Sequence, residues 1–328
     1  MAVIRGDAAV AEAADRLAAG ELVAFPTETV YGLGARADDD HAVAGIFAAK
    51  GRPSDHPLIV HVADAGQAEA FTLGLSPAAQ RLAAAFWPGP LTLIVPRRGG
   101  AGAAAAAGQD SIGLRVPAHP VALALLRAAA ARGVAGVAGP SANRFGRVSP
   151  TTAEHVAQEF GPTLCVLDGG VCDVGIESAI VDCTREQPAL LRPGQLSRSQ
   201  IEAVLGCTLA AQDAQSPRAS GTLEAHYAPS VPVRLWDTDA LPSALAGLPG
   251  GCGVVAVYSR LAPAAVSGGS GALVHKRMPG DAAAVAHELF SVLRELDAAG
   301  VRAIWVERPP AGAEWDGVRD RLQRAAAA

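Results

Sequence analysis

A helix-like run ends in Lys50 and continues as Gly-Arg-Pro-Ser-Asp-His56-Pro-Leu-Ile-Val-His61. A lysine and an arginine two residues apart across a glycine can converge on one polyanion. The ammonium acts as a mobile point charge and the guanidinium as a planar fork for phosphate oxygens. The same cations would also complement a helix C-terminus. Composition favours the first reading: only two of the 27 basic residues, Lys50 and Lys276, are lysine, and arginine could have met a mere dipole role. Pro140-Ser-Ala-Asn-Arg-Phe-Gly146 offers the Ser141 hydroxyl and the Asn143 amide, groups able to bind phosphate or to shape a turn. Arg115 stands among apolar neighbours, where a charge is costly unless it is paired or holds a ligand. Ser178 and Arg192 stand at the ends of two further predicted strands.

The densest polar segment runs from Phe25 to Ala35, directly after a predicted strand, where open α/β sheets hold their ligands. Its Gly32-x-Gly34-x-x-Ala37 spacing is out of register with a dinucleotide-binding turn, because Thr27, Glu28, Thr29 and Tyr31 precede the glycines. No GxSxG, HExxH, GxxxxGK[ST] or kinase-type loop occurs, so covalent nucleophilic catalysis has little support. What remains is a phosphate-binding constellation beside a small polar pocket.

The elements that must position these groups alternate. Helices are predicted at 7–19, 38–50, 76–87, 119–131, 151–160 and 198–205. Strands are predicted at 21–25, 57–62, 91–95, 112–116, 134–138, 164–167, 179–181 and 189–191. The Gly/Ala run at 99–108 reads as a flexible surface loop. A Ser-, Pro- and Gln-rich stretch follows, then strands at 233–236, 254–258, 273–276 and 303–306 with helices at 281–299 and 313–326. These divide the chain into a domain at 1–207, a linker at 208–232 and a smaller, doubly wound α/β domain at 233–328.

Half the 328 residues are hydrophobic and 18% are charged, which excludes a disordered chain. The net charge of −5 argues against a protein that coats nucleic acid. Five cysteines without CxxC spacing fit neither a disulfide framework nor a zinc ribbon and read as reduced thiols. With no signal peptide or membrane-length apolar run visible, the expected compartment is the cytoplasm.

FPTETVYGLGA, KGRPSDHPLIVHV, FWPGPLTLIV, GLRVP, PSANRFGRVSPT, ESAIVD and LLRPG, in this order, resemble the YrdC/Sua5 family of threonylcarbamoyl-AMP synthases. HYAP at 226–229 and the α/β tail resemble its two-domain Sua5 form. The resemblance implies an α/β fold, a YrdC-like open twisted mixed sheet with helices, plus a smaller Rossmann-like α/β C-terminal domain. It implies formation of threonylcarbamoyl-AMP and pyrophosphate from L-threonine, bicarbonate and ATP with Mg²⁺. The product would pass to the machinery that makes t6A in tRNA, with weak tRNA binding a further expectation and no membrane partner. By matching position, ATP would be bound by Lys50, Arg52, His56, Ser111, Ser141, Asn143, Ser149 and Arg192, with His226 and Tyr227 reaching from the linker. Lys50 and Arg52 would be catalytic. Thr29, His61, Arg115, Gly139 and Ser178 would hold threonine. The linker departs from the family's usual Pro-Gly-Met stretch, and Ala179 stands where threonine is frequent. Two other readings compete. One is an RNA-binding module using the same cations for backbone phosphates; the other is carbamoyl-phosphate handling like that of hydrogenase-maturation proteins.

Overall fold

Short Val-, Ile- and Leu-rich strands separated by capped helices assemble into two compact units, 1–145 with 149–222, and 146–148 with 223–328. The computed structural model describes residues 2–249, 253–262 and 273–328, and Cys252 lies outside the described residues. Cys165, Cys172, Cys183 and Cys207 are free thiols.

The first unit carries strands β1 (Ala2–Ile4), β2 (Val23–Phe25), β3 (Gly32–Arg36), β4 (Ile59–His61), β5 (Leu91–Pro96), β6 (Ser111–Arg115), β7 (Val137–Ala138), β8 (Cys165–Leu167), β9 (Ala179–Asp182) and β10 (Ala189–Arg192). Its helices are α1 (Asp7–Ala18), α2 (Asp40–Lys50), α3 (Pro77–Phe86), α4 (Ala103–Ala106), α5 (Pro120–Ala130), α6 (Ala153–Phe160) and α7 (Arg198–Leu205). The strands form one mixed sheet ordered β1-β8-β2-β3-β7-β4-β6-β5-β9-β10.

Alternation along the strands sends side chains to opposite faces. Ala24, Val60, Ala138 and Val166 join a core with residues of α2, α3, α6 and α7. Val23, Phe25, Val137 and Leu167 join a second core with α1 and α5. Across β4, β5, β9 and β10 a separate apolar cluster forms from Ile59, Ile94, Ile180, Ala189 and Leu191, against which Ala210 and Ala219 pack. Ala210 also pairs with the edge strand β10: its N–H donates to the Pro188 carbonyl (2.8 Å), and its carbonyl accepts from Leu190 N–H (3.3 Å).

The alanine-rich run departs from the expected loop. Ala103–Ala106 is the short helix α4, with Ala105 and Ala106 buried and the Ala105 carbonyl accepting from Leu58 N–H. Alanine's small side chain and high helix propensity let the run pack where its composition reads as flexible. Strand β3 also goes beyond the sequence reading. Its Gly34 lies under the Phe25 ring, where an added Cβ would come within 2.9 Å.

The second unit carries β11 (Val233–Trp236), α8 (Leu241–Ala246), β12 (Val255–Ser259), β13 (Leu273–Arg277), α9 (Ala282–Ala298), β14 (Ala303–Glu307) and α10 (Asp316–Ala326). Its sheet is parallel throughout, ordered β11-β14-β12-β13. Residues 146–148 join this unit, with Gly146 accepting from Ala228 N–H and Arg147 paired with Asp297 at 3.6 Å. Lys276 pairs with Glu295 on the surface. Among the described residues no helix is long and apolar enough to cross a membrane.

Gly194 lies against the start of β9, where an added Cβ would fall 2.4 Å from the Ala179 nitrogen and 2.8 Å from the Ser178 carbonyl carbon. Backbone cannot yield as a side chain can. The Gly194→Ala protein is expected to lose about 2–3 kcal/mol of stability, read from its urea midpoint.

Candidate active site

Helix α2 is capped at its start by Asp39, whose side chain accepts from His41 and Ala42 N–H, and is closed after Lys50 by left-handed Gly51. That turn aims Lys50 and Arg52 differently. The buried Lys50 ammonium donates to the carbonyls of Ser141 (2.5 Å) and Asn143, while its own carbonyl accepts from Phe145 N–H (2.9 Å). The Ser141–Asn143 loop is held from its other side as well, by Ala142 N–H to Tyr31 O and Leu33 N–H to Pro140 O, both 2.8 Å. Burial, and then Arg52, push the Lys50 ammonium well below lysine's ordinary range, while Glu159 and Glu177 oppose the shift. Arg52 donates to the Pro57 carbonyl at 3.1 Å, and its guanidinium lies 6.0 Å from the Phe145 ring. The His56 ring is 5.5 Å from the same phenyl.

A second constellation lies on the sheet. His61 pairs in register with Arg115, so their side chains leave the sheet on the same face, the face that Ile59 also takes. Arg115 Nε donates to Gly89 O (3.1 Å), one terminal nitrogen to Thr29 Oγ1 (3.0 Å) and the other to Glu28 Oε1 (2.6 Å). The second Glu28 oxygen accepts from Ala118 N–H at 3.1 Å. Both charged side chains are buried. The His61 ring meets Phe25 edge-on at 5.6 Å, and its Nδ1 has no hydrogen-bond partner among the described residues. Gly139 leaves it room: a Cβ there would sit 3.1 Å from that nitrogen. Burial, then Arg115, push the imidazole down to about 3, so the ring is neutral near pH 7.

On β5 and at the start of β9, Thr92 Oγ1 and Ser178 Oγ lie 2.8 Å apart. Arg192 donates to both the Ser178 carbonyl (3.0 Å) and its hydroxyl (3.2 Å), and also to the Ser220 carbonyl (2.8 Å). Ser149 Oγ donates to Glu177. Beside Thr92 a small open pocket is lined by Ile59, Ile94, Ile180, Ser111 and Gly113 among others. Its outer wall is the segment 218–220. Gln109 fastens this segment by accepting from Arg218 N–H (2.8 Å) and donating to Arg218 O (3.2 Å).

The residues expected from sequence thus gather in the first unit, except for His226 and Tyr227, which belong to the second. There the Tyr227 ring packs 5.4 Å from Phe290 and 5.4 Å from the Arg321 guanidinium, with a backbone φ of +63° that is rare for a side-chain-bearing residue. Glu28, Thr92, Gln109, Glu177 and Ser220 enter the site without having been singled out for it. Only Glu28 carried a usable signal, as a carboxylate inside the polar segment after β2. Cys172 is buried there too, and burial pushes its thiol far up.

A family model described as Sua5/YciO/YrdC, telomere recombination, matches residues 15–194. A second, described as the C-terminal domain of threonylcarbamoyl-AMP synthase, matches 196–327. The threonylcarbamoyl-AMP synthase of Pyrococcus abyssi is 44% identical over 220 residues, which are 65% of this chain and 64% of that protein. The Bacillus subtilis enzyme of the same name is 45% identical over 236 residues, 70% of this chain and 67% of its own length. These matches therefore span about two thirds of each relative. The crystal structure of P. abyssi Sua5 complexed with L-threonine superposes with a TM-score of 0.88 at 35% identity, covering 98% of this chain and 96% of that one.

A buried neutral histidine makes stability depend on pH. The unfolded ring takes up a proton below about 6.5, whereas the folded one resists until about 3, so His61 costs no stability above 6.5 and progressively more as pH falls from 6.5 towards 3. Between pH 6 and 4 the unfolding free energy of His61→Gln is expected to fall less steeply than that of wild type, by up to about one proton's worth of slope. Denaturant melts across that range measure it.

Proposed function

The chain belongs to the Sua5/YciO/YrdC family, and from that premise we propose that it is a nucleotidyltransferase forming L-threonylcarbamoyl-AMP and pyrophosphate from L-threonine, bicarbonate and ATP. The observation that carries the reading is the presence, on one unit, of an oriented guanidinium with Thr29 and neutral His61, the Lys50/Arg52 cations, and a pocket lined mainly by apolar atoms. In this reading Arg115 holds the amino-acid carboxylate. Thr29, Ser178 and the Gly139 backbone frame the side chain, and His61 Nδ1 accepts a hydrogen bond from substrate.

Arg52, Ser141 and Asn143 meet the triphosphate, while Lys50 adds its charge and holds the Ser141–Asn143 carbonyls in place. Ile59, Ile94, Ile180 and Ser111 receive the purine. His56, Ser149 and Arg192 complete the nucleotide side, and His226 and Tyr227 are assigned to it by the family resemblance. Mg²⁺ enters as part of the MgATP substrate. The threonine amine bonds to the bicarbonate carbon and gives up a proton while a hydroxide leaves that carbon, so that a carbamate and one water are formed. A carbamate oxygen then attacks the α-phosphorus, and the bond to pyrophosphate breaks. Anionic oxygens accumulate at each step, so positioning and fixed cations supply the catalysis and no protein nucleophile is required. The reading places the protein in the cytoplasm, supplying an activated threonylcarbamoyl group to an enzyme that installs t6A in tRNA.

Pyrophosphate release from ATP is expected only when threonine and bicarbonate are both present. Release that continues without threonine overturns the assignment. Lys50→Ala and Arg52→Ala are each expected to lose at least about 100-fold in kcat/KM. Serine lacks one methyl, so its kcat/KM is expected to fall about 10- to 200-fold below that of threonine in the same pyrophosphate assay.

A further inference from the structure

Resting on the reading that Arg115 takes the substrate carboxylate, the geometry also assigns a role to its partner. Arg115 already holds a full counter-ion: Glu28 Oε1 lies 2.6 Å from one terminal nitrogen, with both side chains buried. Three of the five guanidinium N–H donors are engaged, by Gly89 O, Thr29 Oγ1 and Glu28. Gly89 and Thr29 suffice to orient the fork, and a glutamine at 28 could still accept from it. What Glu28 alone contributes is its charge. Ala118 N–H holds its other oxygen, so the carboxylate stays fixed beside Arg115.

The Glu28–Arg115 pair sums to zero charge. A zero-charge site suits a ligand that is itself net neutral, as threonine is when its ammonium balances its carboxylate. Arg115 alone would leave a net cation, which suits a bare carboxylate. We infer that Glu28 is a specificity-determining residue that selects the zwitterionic amino acid against simple carboxylates of the same shape. It does so by cancelling the charge that would otherwise favour them.

The test compares threonine with 3-hydroxybutanoate, which keeps the carboxylate and hydroxyl but lacks the amine. Affinities for both are titrated calorimetrically on the full-length protein, with ATP affinity as a control. In Glu28→Gln the affinity ratio is expected to move about tenfold towards 3-hydroxybutanoate. Glu28→Asp keeps the charge but draws it one methylene away from Arg115, so its ratio should move the same way by a smaller factor. Asp carries the test if the Gln variant does not fold. General damage to the site would weaken both ligands together and leave the ratio unmoved. An unchanged ratio in the folded variants, or a larger shift in Asp than in Gln, overturns the inference while wild-type threonine binding keeps the functional reading intact. A wild-type protein that binds no threonine overturns both.

Discussion

Burying a guanidinium in a sheet built of isoleucine, leucine and valine is the constraint around which the first unit is organised. Arg115 sits on β6 in a largely apolar sheet, and an uncompensated charge there would cost several kcal/mol, a large fraction of a domain's net stability. The fold meets this by bringing the segment after β2 across the end of β6. Glu28 and Thr29 then face the guanidinium, and the turn at Gly89 supplies a carbonyl. The polar loop, the glycine turn and the strand register are therefore parts of one electrostatic solution, and the same solution leaves an oriented fork beside neutral His61.

Lys50 and Arg192, also buried, are handled differently. Among the described residues no carboxylate is in direct contact with Lys50. Its ammonium spreads over two backbone carbonyls, which makes it a brace for the Ser141–Asn143 loop as much as a charge. A lysine suits this because its donors radiate from one atom, whereas a planar guanidinium would need the two carbonyls in its own plane. Arg192 is held along its length by Ser178 and Ser220, so it couples β9 to the segment that walls the pocket. Polar contacts thus run from Thr92 and Ser178 through Arg192 to Ser220 on the pocket wall.

Much of this was legible because the chemistry-bearing residues sit where local sequence announces them: Lys50 before a left-handed Gly51, Arg115 inside an apolar strand, Ser141 and Asn143 in a proline-bounded loop. The family motifs gave the fold class, and periodicity placed most helices to within a few residues. Partnerships were not legible. Glu28 and Arg115 lie 87 positions apart, and nothing local says that one answers the other. Thr92 reads as an ordinary strand residue until β9 brings Ser178 beside it. The short helix α4 was hidden because an alanine run has the composition of a loop and the propensity of a helix. Residues 146–148 carry no signal that they belong with the second unit rather than with the loop in which they sit.

The pairing of Ala210 with β10 bears on how the protein resists aggregation. β10 is the last strand of a ten-stranded sheet, and its outer rim of amide and carbonyl groups would otherwise be a template for another chain. Ala210 occupies part of that rim, and the segment to Ser220 continues over the adjoining apolar cluster. A stretch that composition marks as mere tether therefore shields an adhesive edge. Severing the chain at the compositional boundary near 207 would bare it, whereas a cut after 222 would carry the shield along.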